Sequence, residues 1–274
     1  MREVTLEEQK QLMLDMMKEF DQFCNDHDLS YFLTGGTLLG AVRHKGYIPW
    51  DDDIDVGMPR NDYETFARIY NEEKETPYYE FVSFHQEPDL YVSSGKLVDT
   101  RTVMEESIDC DVTLGVYIDI FPLDNLGDTE EEAEKMTKDL LKLRRALDVQ
   151  NWKVIPEREW YKNLIIRAIK AVSPKGKRKD LVFDQDQACR RYAGQEMTEY
   201  VGYPCAAMKQ ELLKKEWYDS FRLVPFEQYM FRIPAGYDGC LRVFYGPDYM
   251  ELPPEEKQKT HHAYKVWYRE QENR

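Results

Sequence analysis

The sequence predicts a mixed α/β fold, a mixed sheet flanked by helices followed by a mainly helical C-terminal half. Three observations carry it. Apolar residues recur with helical period near the N-terminus, short β-branched and aromatic stretches alternate with helical ones up to about residue 121, and residues 129–150 and 158–172 then read as helices.

Taken in order, Thr5 and Glu8 have capping-box spacing, and Leu6, Met13, Met16, Met17, Phe20 and Phe23 follow with helical period, so a helix is expected over residues 6–26. "YFLTGG" reads as a short buried strand breaking at its glycines, and "TLLGAVRHKG" as a short helix closed by Gly46. "DIDVGMP" reads as a strand with alternating faces, stopped by Gly57 and Pro59, after which Arg60 or Asn61 opens a helix through "DYETFARIY". "YEFVSFH", "YVSSGKLVD" and "TLGVYIDIF" are further strands, and "FRLVPFEQYMFRIP" is a strand or hairpin carrying Glu227. "YGPDYM" reads as a turn after a helix, with Tyr245 and Gly246 structural. "VSPKGKRKD" is the softest boundary, yet nothing in the sequence divides the chain, so residues 1–274 are expected to form a single unit: a core over 1–125 and additions over 126–274.

Composition excludes several classes. With 274 residues, 42% of them hydrophobic and 13% aromatic, the chain has enough apolar surface to fold. A net charge of −15 argues against broad electrostatic binding to nucleic acid, which needs clustered Lys and Arg to neutralise phosphates. Five widely spaced cysteines (Cys24, Cys110, Cys189, Cys205, Cys240) without a C-x-x-C pair suit reduced thiols. The N-terminus lacks a secretory pattern, and no apolar run approaches the roughly 20 residues of a spanning helix. The expected location is cytoplasmic.

The chemistry centres on "FLTGGTLLGAVRHKGYIPWDDDIDVGM", residues 32–58. On a strand, Asp53 and Asp55 share one face about 7 Å apart while Ile54 and Val56 turn to the core, so the two carboxylates repel unless a cation lies between them. A divalent metal resolves that repulsion. Asp51 has the same parity, and Asp52 the opposite one. A solvated acidic loop is the alternative, disfavoured because the acids interleave with core positions, and an EF-hand would need glycine at 56, where Val56 stands. Gly35 and Gly36 sit at a strand-to-helix turn, where backbone N–H groups and the helix dipole can receive phosphate oxygens. Asp119, flanked by Ile118 and Ile120, is the expected third carboxylate, with Asp124 a weaker choice.

"GGTLLGAVRHKGYIPWDDDIDVGM", "GKLVDTRT", "YIDIFPLD" and "YGPDYMELPPEEK" together resemble the LicD family of cholinephosphotransferases, within the nucleotidyltransferase superfamily; fukutin-related proteins are distantly similar. The motifs run from about residue 30 to residue 262. The resemblance implies a nucleotidyltransferase-like catalytic core and a LicD-type enzyme that moves phosphocholine, or a related phospho-alcohol, from CDP-choline or another CDP-alcohol. The implied acceptor is a hydroxyl of a cell-surface glycan precursor, of teichoic acid or lipopolysaccharide type and lipid-linked in one version, and CMP is released. It further implies that Asp53, Asp55 and Asp119 hold Mg2+ or Mn2+ and carry the catalysis; on chemical grounds Asp119 is the expected acceptor of the hydroxyl proton, directly or by lowering its pKa through the metal. Gly35, Gly36 and Thr37 would bind donor phosphates, and Arg43, Lys96, Asp99 and His262 fall in family-like motifs as further donor contacts. Trp50, Tyr47, Tyr117, Phe121, Tyr245 and Tyr249 lie in or beside the motifs and offer faces for a quaternary ammonium.

The rival readings are a nucleotidyltransferase passing NMP from an NTP to a small acceptor, a glycosyltransferase whose D-x-D holds a nucleotide-sugar, and an inactive nucleotide-binding protein on the same fold. Separately, residues 158–179 form a basic island threaded with "NLIIRAIKAV", suited either to peripheral contact with the inner face of a membrane or to a solvated helix face.

Overall fold

The computed structural model describes all residues except 106, 107, 109–111, 155, 157, 173–176, 207, 208, 210, 259, 261–264 and 271–274. A short strand β1 (Arg2–Glu3) leads into α1 (Leu6–Asp26), whose start is the expected capping box: Glu8 N donates to Thr5 Oγ1 at 3.2 Å and Thr5 N donates to Glu8 Oε2 at 2.9 Å. The helical-period face of α1, including Met13, Met16, Met17 and Phe20, is buried.

There follow β2 (Phe32–Leu33), α2 (Gly35–Arg43), β3 (Asp55–Pro59), α3 (Arg60–Glu73), β4 (Tyr79–Val82), β5 (Gly95–Asp99), β6 (Thr102–Glu105) and β7 (Val116–Gly127). The central sheet has the order β2-β3-β7-β5-β4, with β3 and β7 parallel and the other neighbours along that path antiparallel. It is a mixed sheet, as the sequence predicts. α1 packs against β7, and α3 against β3, β4 and β7.

Three boundaries differ from expectation, each for a local reason. β3 starts at Asp55, so Asp53 precedes the strand instead of sharing its face. The strand runs through Gly57 to Pro59, because the glycine admits a neighbour: a Cβ there would lie 2.1 Å from Tyr203 Oη. α2 closes at His44, and it is Lys45 (φ +61°), not Gly46, that takes the left-handed conformation.

After β7 come α4 (Glu130–Asn151), α5 (Trp160–Val172) and α6 (Lys177–Cys189). Three successive helices thus fill the chain to Cys189, and strands mix with a further α-helix after it. Beyond it lie β8 (Tyr200–Gly202), β9 (Leu213–Lys214), the hairpin β10 (Phe221–Phe226) and β11 (Tyr229–Pro234), α7 (Tyr237–Tyr245) and β12 (Lys265–Tyr268). β8 extends the central sheet beside β7, while β12 joins β1 and β6 in a small antiparallel sheet. One continuous cluster of buried apolar side chains reaches from Val4 to Val266.

Candidate active site

Backbone geometry at the start of α2 positions the first acid. Thr34 N donates to the carbonyl of Asp55 at 3.1 Å, and Asp55 N donates to Thr37 Oγ1 at 2.8 Å, so the helix start and the strand start are tied together. Gly35 has φ +53°, and a Cβ on it would lie 2.8 Å from Asp55 Oδ2; a Cβ on Gly36 would lie 2.6 Å from Asp51 Oδ2. The glycine pair therefore admits carboxylates to the first turn of α2, where the positive end of the helix dipole favours them.

The second acid comes from strand register. Asp55 on β3 and Asp119 on β7 are direct partners, and Asp119 N donates to the carbonyl of Ile54 at 2.9 Å. Behind them Ile54, Val56, Ile118 and Ile120 are buried, as the alternation requires. Across β7, Lys96 of β5 is the register partner of Asp119; its Nζ lies 2.6 Å from Asp119 Oδ1 and 3.5 Å from the centroid of the Tyr117 ring. Burial, followed by the charges of Asp53, Asp119 and Asp51, pushes the Asp55 carboxyl well above the usual carboxylate range, with Lys96 opposing.

Among the described residues, no three Asp, Glu, His or Cys side chains close on a point as a ready-made metal site. What Asp51, Asp53, Asp55 and Asp119 provide is a concentration of oxygen donors of the kind that hard dications take, around a carboxylate destabilised by its neighbours. In that respect the residues fit such an ion. Asp52 is buried, and its carbonyl accepts from Gln9 Nε2 at 3.3 Å.

Two cavities meet at these acids. One, of 780 Å³, is lined by Gly36, Arg43, Trp50, Asp51, Tyr249 and Lys257 among others. The second, of 460 Å³, is lined by Lys96, Asp119 and an aromatic wall that includes Tyr91, Tyr117, Phe121 and Tyr203. Asp53, Asp55 and Tyr245 line both. Tyr245, expected to be structural, thus stands at the junction, delivered by the last residue of α7. Arg43 fixes the outer wall of the first cavity, with NH1 donating to the carbonyls of Tyr249 at 2.9 Å and Glu251 at 3.0 Å.

Several expected residues lie elsewhere. Asp99 is at the far end of β5, lines neither cavity, and is bound by Arg101 through its guanidinium (2.5 Å) and its backbone N (3.0 Å). Asp124 is buried against Arg60, with both carboxylate oxygens receiving hydrogen bonds of 2.7 Å. Glu227 bridges to the loop after α2, accepting from Tyr47 N at 3.1 Å, and Tyr47 turns its hydroxyl to the carbonyl of Lys10 at 2.8 Å. His262 lies outside the described residues.

Other residues of the second cavity went unread in the sequence: Tyr91, Tyr203, Glu211, Phe244 and Arg144. None belongs to a motif, since Arg144 comes from mid-α4 and Glu211 from an irregular stretch before β9. Burial pushes the Glu211 carboxyl up to about 6, with Lys209 opposing.

The family model described as LicD/FKTN/FKRP, nucleotidyltransferase domain, matches residues 28–165, a span that holds the glycine pair, the acids of the junction and Lys96. The chain is 29% identical over 279 residues to the lipopolysaccharide cholinephosphotransferase LicD of Haemophilus influenzae, covering 97% of this chain and 99% of that protein. A stretch of 28 residues is 61% identical to the ribitol 5-phosphate transferase FKRP of Homo sapiens, 10% of this chain and 6% of that one. With the domain match spanning half of its length and the likeness to LicD running nearly end to end, the chain belongs to the LicD family.

Proposed function

We propose that the chain is a metal-dependent phosphotransferase that moves phosphocholine, or a related phospho-alcohol, from a CDP-activated donor to a hydroxyl of a cell-surface glycan precursor. The observation that carries this reading is the junction itself: Asp55 lines two cavities of different character, and Asp119, in register with it on the parallel strand, lines the second. A transferase with two substrates needs such a meeting point. The relatives support the chemistry, one being a cholinephosphotransferase acting on lipopolysaccharide and the other a transferase of ribitol 5-phosphate.

In the reaction, the acceptor oxygen attacks the phosphorus that carries the alcohol, and the bond from that phosphorus to the CMP oxygen breaks. The acceptor's proton passes to a carboxylate of the cluster, Asp119 in our assignment. Asp53, Asp55 and Asp119 would hold magnesium or manganese, which when bound neutralises charge on the attacking and leaving oxygens. Lys96 and Arg43 place positive charge on opposite sides of the junction, one in each cavity. The aromatic wall of the second cavity, with Glu211 beside it, suits a trimethylammonium group, which has no proton to donate and is held by ring faces and by charge. Four free thiols among the described residues suit the reducing cytoplasm.

Thermal unfolding with CDP-choline, CDP-ribitol, CDP-glycerol, CTP and a UDP-sugar, each with and without magnesium, tests the reading. A ligand at a hundred times its dissociation constant adds about 2.7 kcal/mol. A magnesium-dependent shift with a CDP-alcohol is expected; a response to CTP alone would replace the proposal with NMP transfer, and silence throughout would favour a binding protein.

A further inference from the structure

α5 packs the wrong way round for an ordinary surface helix. At about 100° per residue, Trp160, Tyr161, Leu164, Ile165 and Ala168 fall within one arc of roughly 140°. That arc faces outward: Trp160 is 76% exposed, Leu164 58% and Ile165 53%. On the opposite side Ile166 is buried, with Asn163, Ile169 and Lys170 half-buried around it. Lys162 and Arg167, both exposed, border the apolar arc on its two edges.

The charge along this segment is mostly positive, with Glu159 paired to Lys162 at 2.5 Å and Asp89 to Lys179 at 2.8 Å as acidic neighbours. Between Trp160 and Lys179 the sequence has seven Lys and Arg residues and no Asp or Glu, in a chain whose net charge is −15. We propose that α5 is an interfacial helix that seats the protein on an anionic lipid bilayer, with Trp160, Tyr161, Leu164 and Ile165 entering the headgroup boundary and the flanking cations meeting lipid phosphates. Exposed aromatic residues at the start of the helix suit that boundary, where one end of the ring is apolar and the other wet. A second copy of the chain is the poorer occupant, because a two-fold contact through this face would set one basic island against the other. No helix among the described residues is long and apolar enough to cross a membrane, so the contact is peripheral.

α5 follows in the chain a residue that is bridged to the wall of the second cavity. Trp152, at the C-terminal end of α4, forms an isolated β-bridge with Ile108, which lines the second cavity, and α5 begins eight residues further on.

Sedimentation with vesicles decides the matter. The protein should sediment with phosphatidylcholine vesicles containing phosphatidylglycerol, bind pure phosphatidylcholine far more weakly, and release as salt rises. Arg167→Glu should weaken partition at least about fivefold, the effect of a single basic residue near an anionic surface. The double variant Leu164→Glu/Ile165→Glu should lower it more than tenfold while its unfolding midpoint stays that of the parent, since both side chains are already exposed. The proposal is overturned by failure to bind the anionic vesicles, by undiminished binding of the double variant, or by a dimer in sedimentation equilibrium that the double variant dissociates.

Discussion

Asp55 and Asp119 face each other across two parallel strands, held in register by the hydrogen bond from Asp119 N to the carbonyl of Ile54. Neighbouring strands lie about 4.8 Å apart, so this pairing sets two carboxylates closer than successive same-face positions along one strand, at about 7 Å, would. The repulsion is part of why the Asp55 carboxyl is pushed up, together with its burial.

A direct consequence is that Asp55→Asn should separate stability from activity. The native state binds the Asp55 proton more tightly than the unfolded chain does, so ionisation costs stability as pH rises above about 3.9. Without magnesium, the variant should therefore melt above the parent near pH 8, the difference vanishing towards about pH 3. Turnover should fall roughly 10²–10³-fold or more. Melting curves against pH and donor turnover check both; a fully active variant would remove Asp55 from the site.

Gly35→Ala should be damaging although the change is a single methyl group. The left-handed φ of +53° alone costs about 1 kcal/mol for an L-residue, and the new Cβ would press on Asp55 Oδ2 from 2.8 Å. Urea unfolding should show a loss of about 1–2 kcal/mol, and turnover should fall further than that loss explains because Asp55 is displaced. An unaffected midpoint would mean that the turn relaxes freely.

The parts of this site that a sequence makes legible are those written in consecutive residues. The glycine pair, the D-I-D segment and the I-D-I of β7 announce themselves through small residues and apolar flanks, and the capping box at Thr5 marks the first helix start. Register is not written that way: which residue faces Asp55 depends on how β3 and β7 align, so Asp53 looked like its strand partner when Asp119 is. Asp99 and Asp124 each follow an apolar residue in or beside the same motifs, yet Arg101 and Arg60 claim them. Tyr203 and Glu211 reach the cavity from the stretch between β8 and β9, strands of two or three residues that show no period, and Phe244 reaches it from the end of α7.

Lys96 and Asp119 form a largely buried ion pair at 2.6 Å. Removing one partner strands the other, so Lys96→Met should cost about 2–4 kcal/mol, somewhat below a fully buried case because Asp119 keeps 18% of its side chain exposed. Lys96→Met/Asp119→Asn should recover most of the lost stability and none of the turnover. Recovery of turnover in the double variant would show that the pair is only structural.

Asp99→Asn should give the opposite pattern to Asp55→Asn. Its carboxylate holds the turn between β5 and β6 through Arg101 and lines neither cavity. Loss of a buried, charge-assisted contact should lower stability by about 1–3 kcal/mol. Below the melting range, KM and turnover should match the parent; a changed KM for the donor would return Asp99 to the site.

Glu211 supplies a test of the cargo. Its pKa of about 6 means that, as pH rises through 6, the second cavity gains a negative charge beside its aromatic wall. A trimethylammonium cargo interacts favourably with that charge, whereas a neutral polyol does not. CDP-choline affinity, measured with saturating magnesium between pH 5 and pH 7.5, should therefore strengthen with pH through about 6, and Glu211→Gln should both weaken binding at neutral pH and flatten this part of the profile. The same series with CDP-ribitol should show no Glu211-dependent step. If Glu211→Gln leaves the CDP-choline profile unchanged, the alcohol lies in the other cavity, against Trp50 and Tyr249, and the aromatic wall beside Glu211 belongs to the acceptor.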